Sequence, residues 1–274
     1  MTDLMQPILH IPHAATTIPA DYLGTYHGGQ ARIDREQLQL SDLHTDRLFV
    51  SPSIAALPLV FPYSRIFVDV ERFRDANDEI MAARGMGALY THGYDLERLR
   101  TLPSAGEQQA LLQSYYDPHH AKLTALVDAQ LAAQGRALII DCHSFASQRL
   151  AYEDAHTADR PEICIGTNAF HTPKWIADTL LECFAARGYQ TALNDPFAGS
   201  IVPSKHYQKN PAVMSVMLEV RRDLFTDETT GEPNRLFKTV QADIEAAISA
   251  LLQRVSLKLV HRRTKRTRRS SSLP

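Results

Sequence analysis

Four apolar stretches of the chain finish on groups that resist burial. ALIIDCHSF, residues 137–145, ends with Asp141, His143 and Ser144, and PILHIPHA, residues 7–14, runs into His13. YQTALN is followed by Asp195 directly after Asn194, and VMSVMLEV, residues 213–220, carries Glu219 beside its last residue. Imidazoles and carboxylates bind divalent cations, and a carboxylate can take the proton of a cation-activated water. Each group also has a bland reading. His13 and His143 could be satisfied core histidines, and Glu219 could pair with Arg221 or Arg222. The recurrence of one anomaly at four places outweighs any single residue.

Neighbouring residues sort by pattern. Asp141 lies two positions before His143, on the same strand face, where it could orient the imidazole. Cys142 points the other way and reads as core. His10 reads as buried against a neighbour. Asp42, His44 and Asp46 fall on a helix expected over 34–51; positions 42 and 46 share a face, and Asp46 beside Arg47 reads as solvated. His119 and His120, after Asp117 and Pro118, read as solvated or capping residues. His206, in SKHYQ, is a candidate substrate contact. His27, His92, His156 and His171 read as surface loop residues. HExxH, GxSxG, GxGxxG and phosphate-loop patterns are missing from the sequence, which removes support for those chemistries.

These groups must be delivered by regular elements. PILHI, FPYSRIFVDVER, ALIIDCHSF, ICIGTN, YQTALN and VMSVMLEV read as strands; in the second, Ile66, Val68 and Val70 alternate with polar residues. Helices are expected over 34–51, over 107–134 with an interruption at Pro118 and a stop at Gly135, over 172–187 before Gly188, and over 235–255. The irregular stretch between about 72 and 107 is expected to arch over one face. Strands alternating with helices imply an α/β fold with a largely parallel sheet and helices on both sides. Ligands bind such sheets in the crevice beyond the carboxyl ends of the strands, where the polar groups lie.

Composition sets the outer bounds. The chain has 274 residues, 44% hydrophobic and 22% charged, with a formal net charge of −2. Residues 256–274 hold seven Lys or Arg and no acid, so the body carries the remaining 22 bases against 31 acids. The domain is expected to be single, over 1–255, and the basic tail 256–274 to be disordered beyond about Leu259. Cationic tails bind nucleic acid weakly, but this one lacks interleaved aromatics and reads as a solvated end. Three cysteines without CxxC spacing favour a reducing compartment. Neither a signal peptide nor the ~20 apolar residues of a membrane span is evident, so a cytoplasmic location is expected. Internal repeats are not seen. Oligomeric state is not legible.

Ordered blocks extend the reading. PHA, SDLHTDRLF, YSRIFVDVERF, RGMGALYT, YYDPHHAKL, IDCHSF, NDPFAGSIVP and MLEVRRDLF resemble, in sequence order, the blocks of the N-formylglutamate amidohydrolase family. Zinc carboxypeptidases and zinc muramoyl amidases are similar at a greater distance. The resemblance implies a three-layer α/β/α sandwich around a mostly parallel, mixed sheet, like that of zinc exopeptidases. It implies a zinc-dependent hydrolase that frees formate from N-formylglutamate, an acidic N-acyl amino acid, in histidine catabolism. Mapped by motif, His13, Asp42 and His143 would hold Zn2+, with His44 as a substitute for Asp42, and Glu219 would be the base. Thr16 stands where carboxypeptidases carry their acidic ligand. Arg65 would stabilise the oxyanion or clamp a carboxylate, with Arg72, Asn194, His206 and Arg221 as further substrate contacts. Glu71 departs from the asparagine of many relatives, which bears on the substrate accepted. A peptidase or wall amidase using the same site, and a non-enzymatic scaffold binding through its tail, are the competing readings.

Overall fold

A computed structural model describes residues 5–153 and 160–270, with side chains of the last helix described as far as Leu257. Six strands form one sheet: β1 (Ile8–Ile11), β2 (Leu57–Val60), β3 (Ala137–Phe145), β4 (Ile163–Gly166), β5 (Thr191–Leu193) and β6 (Val213–Arg221). Their order is β2-β1-β3-β6-β4-β5, all parallel to their neighbours except the β4–β6 pair. β3 and β6 lie at the centre, each nine residues long and almost wholly buried. Such strands, covered on both faces, read as the continuous apolar runs of the sequence.

The helices are α1 (Ala20–Leu23), α2 (Gly29–Leu40), α3 (Thr45–Phe49), α4 (Ala105–Leu111), α5 (Asp117–Gln134), α6 (Lys174–Ala185) and α7 (Phe237–Ser270). Alternation along each strand divides the core. Leu9, Ile11, Leu138, Ile140 and Cys142 face α3, α6 and α7, with Leu180, Ile244 and Ile248 among their neighbours. Ile8, Ile139 and Val213 face α5 through Leu123 and Val127. By the same period His10, Asp141, His143 and Glu219 emerge on the α5 side.

Three elements differ from expectation. The helix over 34–51 breaks after Leu40: Ser41 is extended and His44 adopts φ 66° before α3 begins. Leucine spacing continues through the break, so periodicity hides it. Residues 61–72 are not a strand; Phe67 N and Val68 N both bond to Ser64 O in a tight turn. The strand here is β2, one segment earlier, where Pro58 is tolerated because β2 is an edge. Pro118 does not interrupt its helix. A π turn over Leu112–Tyr116 absorbs an extra residue, with Asp117 N bonding Leu112 O, before the proline that cannot donate. The expected tail coincides with the end of α7 and with residues outside those described.

Candidate active site

His13 lies two residues past β1, and its carbonyl accepts from Asp42 N at 2.9 Å, which anchors the break between α2 and α3 beside it. Asp42 is thereby held buried in that break rather than on a helix face. His143, near the end of β3, turns its Nδ1 to within 3.1 Å of Asp42 Oδ2, and His13 Nδ1 lies 3.5 Å from the same oxygen. The two imidazole centroids are 5.1 Å apart. His44 points elsewhere, its Nε2 donating to the Gly231 carbonyl at 2.8 Å, which leaves Asp42 as the carboxylate of the trio.

The far nitrogens of both imidazoles are held by buried carboxylates. His13 Nε2 meets Asp69 Oδ1 at 2.8 Å, and His143 Nε2 meets Asp141 Oδ1 at 3.1 Å. Such pairs fix ring orientation and leave the opposite nitrogen with its lone pair outward. Asp69 is itself fixed by Arg65 at 3.0 Å, by the Tyr90 hydroxyl at 2.8 Å and by Glu71 N at 2.9 Å. Asp141 also accepts from Ile201 N and lies 2.8 Å from His10 Nδ1. His10 continues inward to His119, Nε2 to Nε2 at 2.8 Å, and Glu71 Oε1 lies 3.0 Å from its Nδ1.

Titration follows this arrangement. Burial disfavours a charged His10, but Asp141 and Glu71 outweigh it and raise its pKa to about 9. Burial and the charge on His10 push His119 down to about 2, so it stays neutral and accepts from His10. Burial opposes ionisation of Asp42, yet bonds to His13 and His143 hold its carboxyl below the usual range.

Glu219 pairs with His143 in the β3–β6 ladder. Burial raises its pKa to about 8, against the attraction of His143 and with the repulsion of Asp42 and Asp141. Neither arginine beside it neutralises it. Arg221 turns to Asp223 at 2.8 Å and to the Arg160 carbonyl, and Arg222 Nη1 donates to the Leu38 and Gln39 carbonyls at 3.1 Å. His13 Nδ1, Asp42 Oδ1 and Glu219 Oε2 are all buried without a hydrogen-bond partner among the described residues. Orphaned buried polar atoms on residues that line one cavity are costly unless something charged satisfies them. Two nitrogens and a carboxylate oxygen form a donor set that suits zinc and leaves further positions open. His10, Glu71 and Asp141 also cluster tightly, with His10 Nδ1 between the two carboxylates at 3.0 and 2.8 Å.

This cluster opens into a cavity of about 810 Å3 whose wall includes Arg65, Arg72 and Arg222. Three residues expected there lie elsewhere. Asn194 is exposed and bonded to Thr167, His206 bonds Asp128 on α5 at 2.8 Å, and Arg221, outside the cavity lining, is tied to Asp223 at 2.8 Å. His119 and His171, expected at the surface, are buried; His171 bonds the Val213 carbonyl and Gln208 N. His156 lies outside the described residues. His10 is buried against a neighbour as expected, but Asp69, Arg222 and the identity of that neighbour as His119 escaped sequence reasoning. Asp69 looked like the polar member of an alternating strand, and a histidine pair 109 residues apart leaves no local signal.

The sheet and the cluster at its carboxyl edge define an α/β protein whose cavity brings two imidazoles and a carboxylate beside three arginines. Residues 5–226 match the N-formylglutamate amidohydrolase family, and the chain belongs to that family of amidohydrolases. A crystal structure of N-formylglutamate amidohydrolase from Ralstonia eutropha JMP134 shares the fold with a TM-score of 0.77, over 95% of this chain and 96% of that one, at 21% identity. A gene product from Agrobacterium tumefaciens follows at TM-score 0.62 and 19% identity, covering 91% and 92% of the two chains. Comparison with curated proteins finds no match.

Proposed function

We propose that this chain is a zinc-dependent hydrolase that removes the formyl, or a related acyl, group from the nitrogen of an acidic amino acid. The carrying observation is the convergence of His13 Nδ1, His143 Nδ1 and Asp42 on one point, each backed or orphaned as a ligand would be. His13, Asp42 and His143 would hold the ion. When bound, it supplies Lewis acidity toward the scissile carbonyl and lowers the pKa of water toward about 7. Asp69 and Asp141 keep both imidazoles in the tautomer that turns Nδ1 to the site.

Glu219 serves as general base. Its free Oε2 accepts the proton of the attacking water and returns it to the leaving nitrogen, so that amide and water become carboxylic acid and amine. Arg65, pinned to Asp69, presents fixed positive charge to the carbonyl oxygen as negative charge develops there. Arg72 and Arg222, each with Nε buried and without a hydrogen-bond partner among the described residues, provide donors for the substrate carboxylate, although Arg72 Nε also lies 3.8 Å from Asp69. Residues 1–255 make up the catalytic unit in this reading. Three free cysteines, and no helix among the described residues long and apolar enough to cross a membrane, accord with a reducing cytoplasm.

The test pairs elemental analysis of the purified chain with formate release from N-formyl-L-glutamate. About one zinc per chain and turnover abolished by chelation are expected. In Glu219→Gln, kcat falls at least about 100-fold while zinc content stays unchanged. Full turnover by Glu219→Gln would refute the assigned base.

A further inference from the structure

The ligand cluster and the arginines make up only part of the cavity wall. Its volume, about 810 Å3, lies toward the upper end of pockets that enclose drug-sized ligands. N-formylglutamate has only about a dozen non-hydrogen atoms, too few to fill such a space. The remaining wall is mixed, with Asn168, Ser200 and Gln208 among its polar members, and the sheet builds an apolar patch of it next to the chemistry. Phe145 follows His143 by two residues on β3, and Met217 precedes Glu219 by two on β6, so all four share one face.

The segment between β5 and β6 completes that wall. Phe197 meets Phe145 edge-on at 5.7 Å between centroids, and the Arg160 guanidinium lies 5.1 Å from the Phe145 ring, fixing the pair. A Cβ on Gly166 would stand 2.3 Å from Met217 Cε and 2.6 Å from the Gly199 carbonyl, so glycine there lets side chain and loop close up. At the mouth, Phe73 and Tyr207 are 58% and 37% exposed while lining the cavity. Phe145 and Met217 are themselves buried, so the apolar surface the pocket offers a ligand is the partly exposed Phe197, with Phe73 and Tyr207 at the mouth.

We infer, on the amidohydrolase reading above, that the favoured substrate is larger than N-formylglutamate. It is an N-acyl amino acid with a bulky apolar group, aromatic or branched, seated against Phe197, which Phe145 and Met217 back, while its carboxylate meets Arg72 and Arg222. The group can belong to the acyl part or to the amino-acid side chain, and the substrates chosen separate the two.

Steady-state kcat/KM is measured on the zinc-loaded full chain with N-formyl-L-glutamate, N-formyl-L-phenylalanine and N-benzoyl-L-glutamate. One of the two enlarged substrates is expected to exceed N-formyl-L-glutamate by about tenfold or more, since even one methylene in an apolar pocket is worth roughly that much. Which of them wins locates the wall on one side of the scissile bond. In Phe197→Ala, the ratio of kcat/KM for the favoured enlarged substrate to that for N-formyl-L-glutamate drops at least about fivefold, mainly through KM. That ratio does not depend on the fraction of variant that folds. N-formyl-L-glutamate as the best of the three, or a Phe197→Ala ratio unchanged from the parent, overturns the inference and leaves the amidohydrolase reading standing. Turnover of none of the three overturns both.

Discussion

At Asp69 a single buried carboxylate answers His13, Arg65, the Tyr90 hydroxyl and the Glu71 amide. Its substitution therefore acts through the imidazole it holds. Asp69→Asn is expected to weaken zinc binding about 10- to 100-fold, measured by competition with a chromogenic chelator, while the fold persists. Nothing near Asp69 in RIFVDVER announces that role, because alternation there mimics a half-buried strand. His13, His143 and Glu219 were legible for the opposite reason: each is a polar group where an apolar run should have continued. Glu36 offers a separate pH signature. It is fully buried on α2, accepts from Tyr94 N and lies 2.8 Å from Arg32 Nη2, and burial lifts its pKa to about 7 despite both. A carboxyl raised in the folded state favours folding fully below its ordinary pKa of about 4.5, and that contribution is lost as pH rises through about 7. Glu36→Gln, which cannot ionise, should gain thermal stability relative to the parent across that window, by at most about 3 kcal/mol, and hold a constant margin above it. Melting curves from pH 4 to 9 read this directly; a margin independent of pH would contradict it.

Among the elements, the sheet was largely readable and the segments that complete the site were not. Continuous Val, Ile and Leu runs identify β3 and β6 as central strands because both faces are covered. The break at Ser41–His44 was hidden because Leu38, Leu40, Leu43 and Leu48 keep a helical rhythm across it, whereas what ends α2 is a long-range bond from Asp42 N to the His13 carbonyl. Pro118 looked like an interruption because a sequence carries no sign that a π turn precedes it. The reversed direction of β4 beside β6 is likewise a property of the connection, not of ICIG. Gly166, at the end of β4, tests the packing there. Gly166→Ala places a methyl against the Gly199 carbonyl as well as Met217, and backbone cannot move aside cheaply. A loss of about 1–3 kcal/mol is expected in denaturant titration.

Taken whole, the molecule sets an acidic body around a cavity rimmed by arginines, so attraction of an anionic ligand must be local rather than global. Cation binding should also be visible in stability. A ligand bound only by the native state adds about 4 kcal/mol at a thousandfold excess over its Kd. Zinc added to chelator-treated protein is therefore expected to raise Tm and restore formate release together, and to do neither in His143→Ala. A rise in Tm of equal size in that variant would place the ion elsewhere.

The adjacency of β3 and β6 carries one more implication. Because His143 and Glu219 occupy partnered rungs of the same ladder, their separation is metered by the interstrand repeat of about 4.8 Å and not by the lie of any loop. Exchange of the segment 195–208 for that of a relative is thus expected to leave the spacing of His143 and Glu219 unchanged.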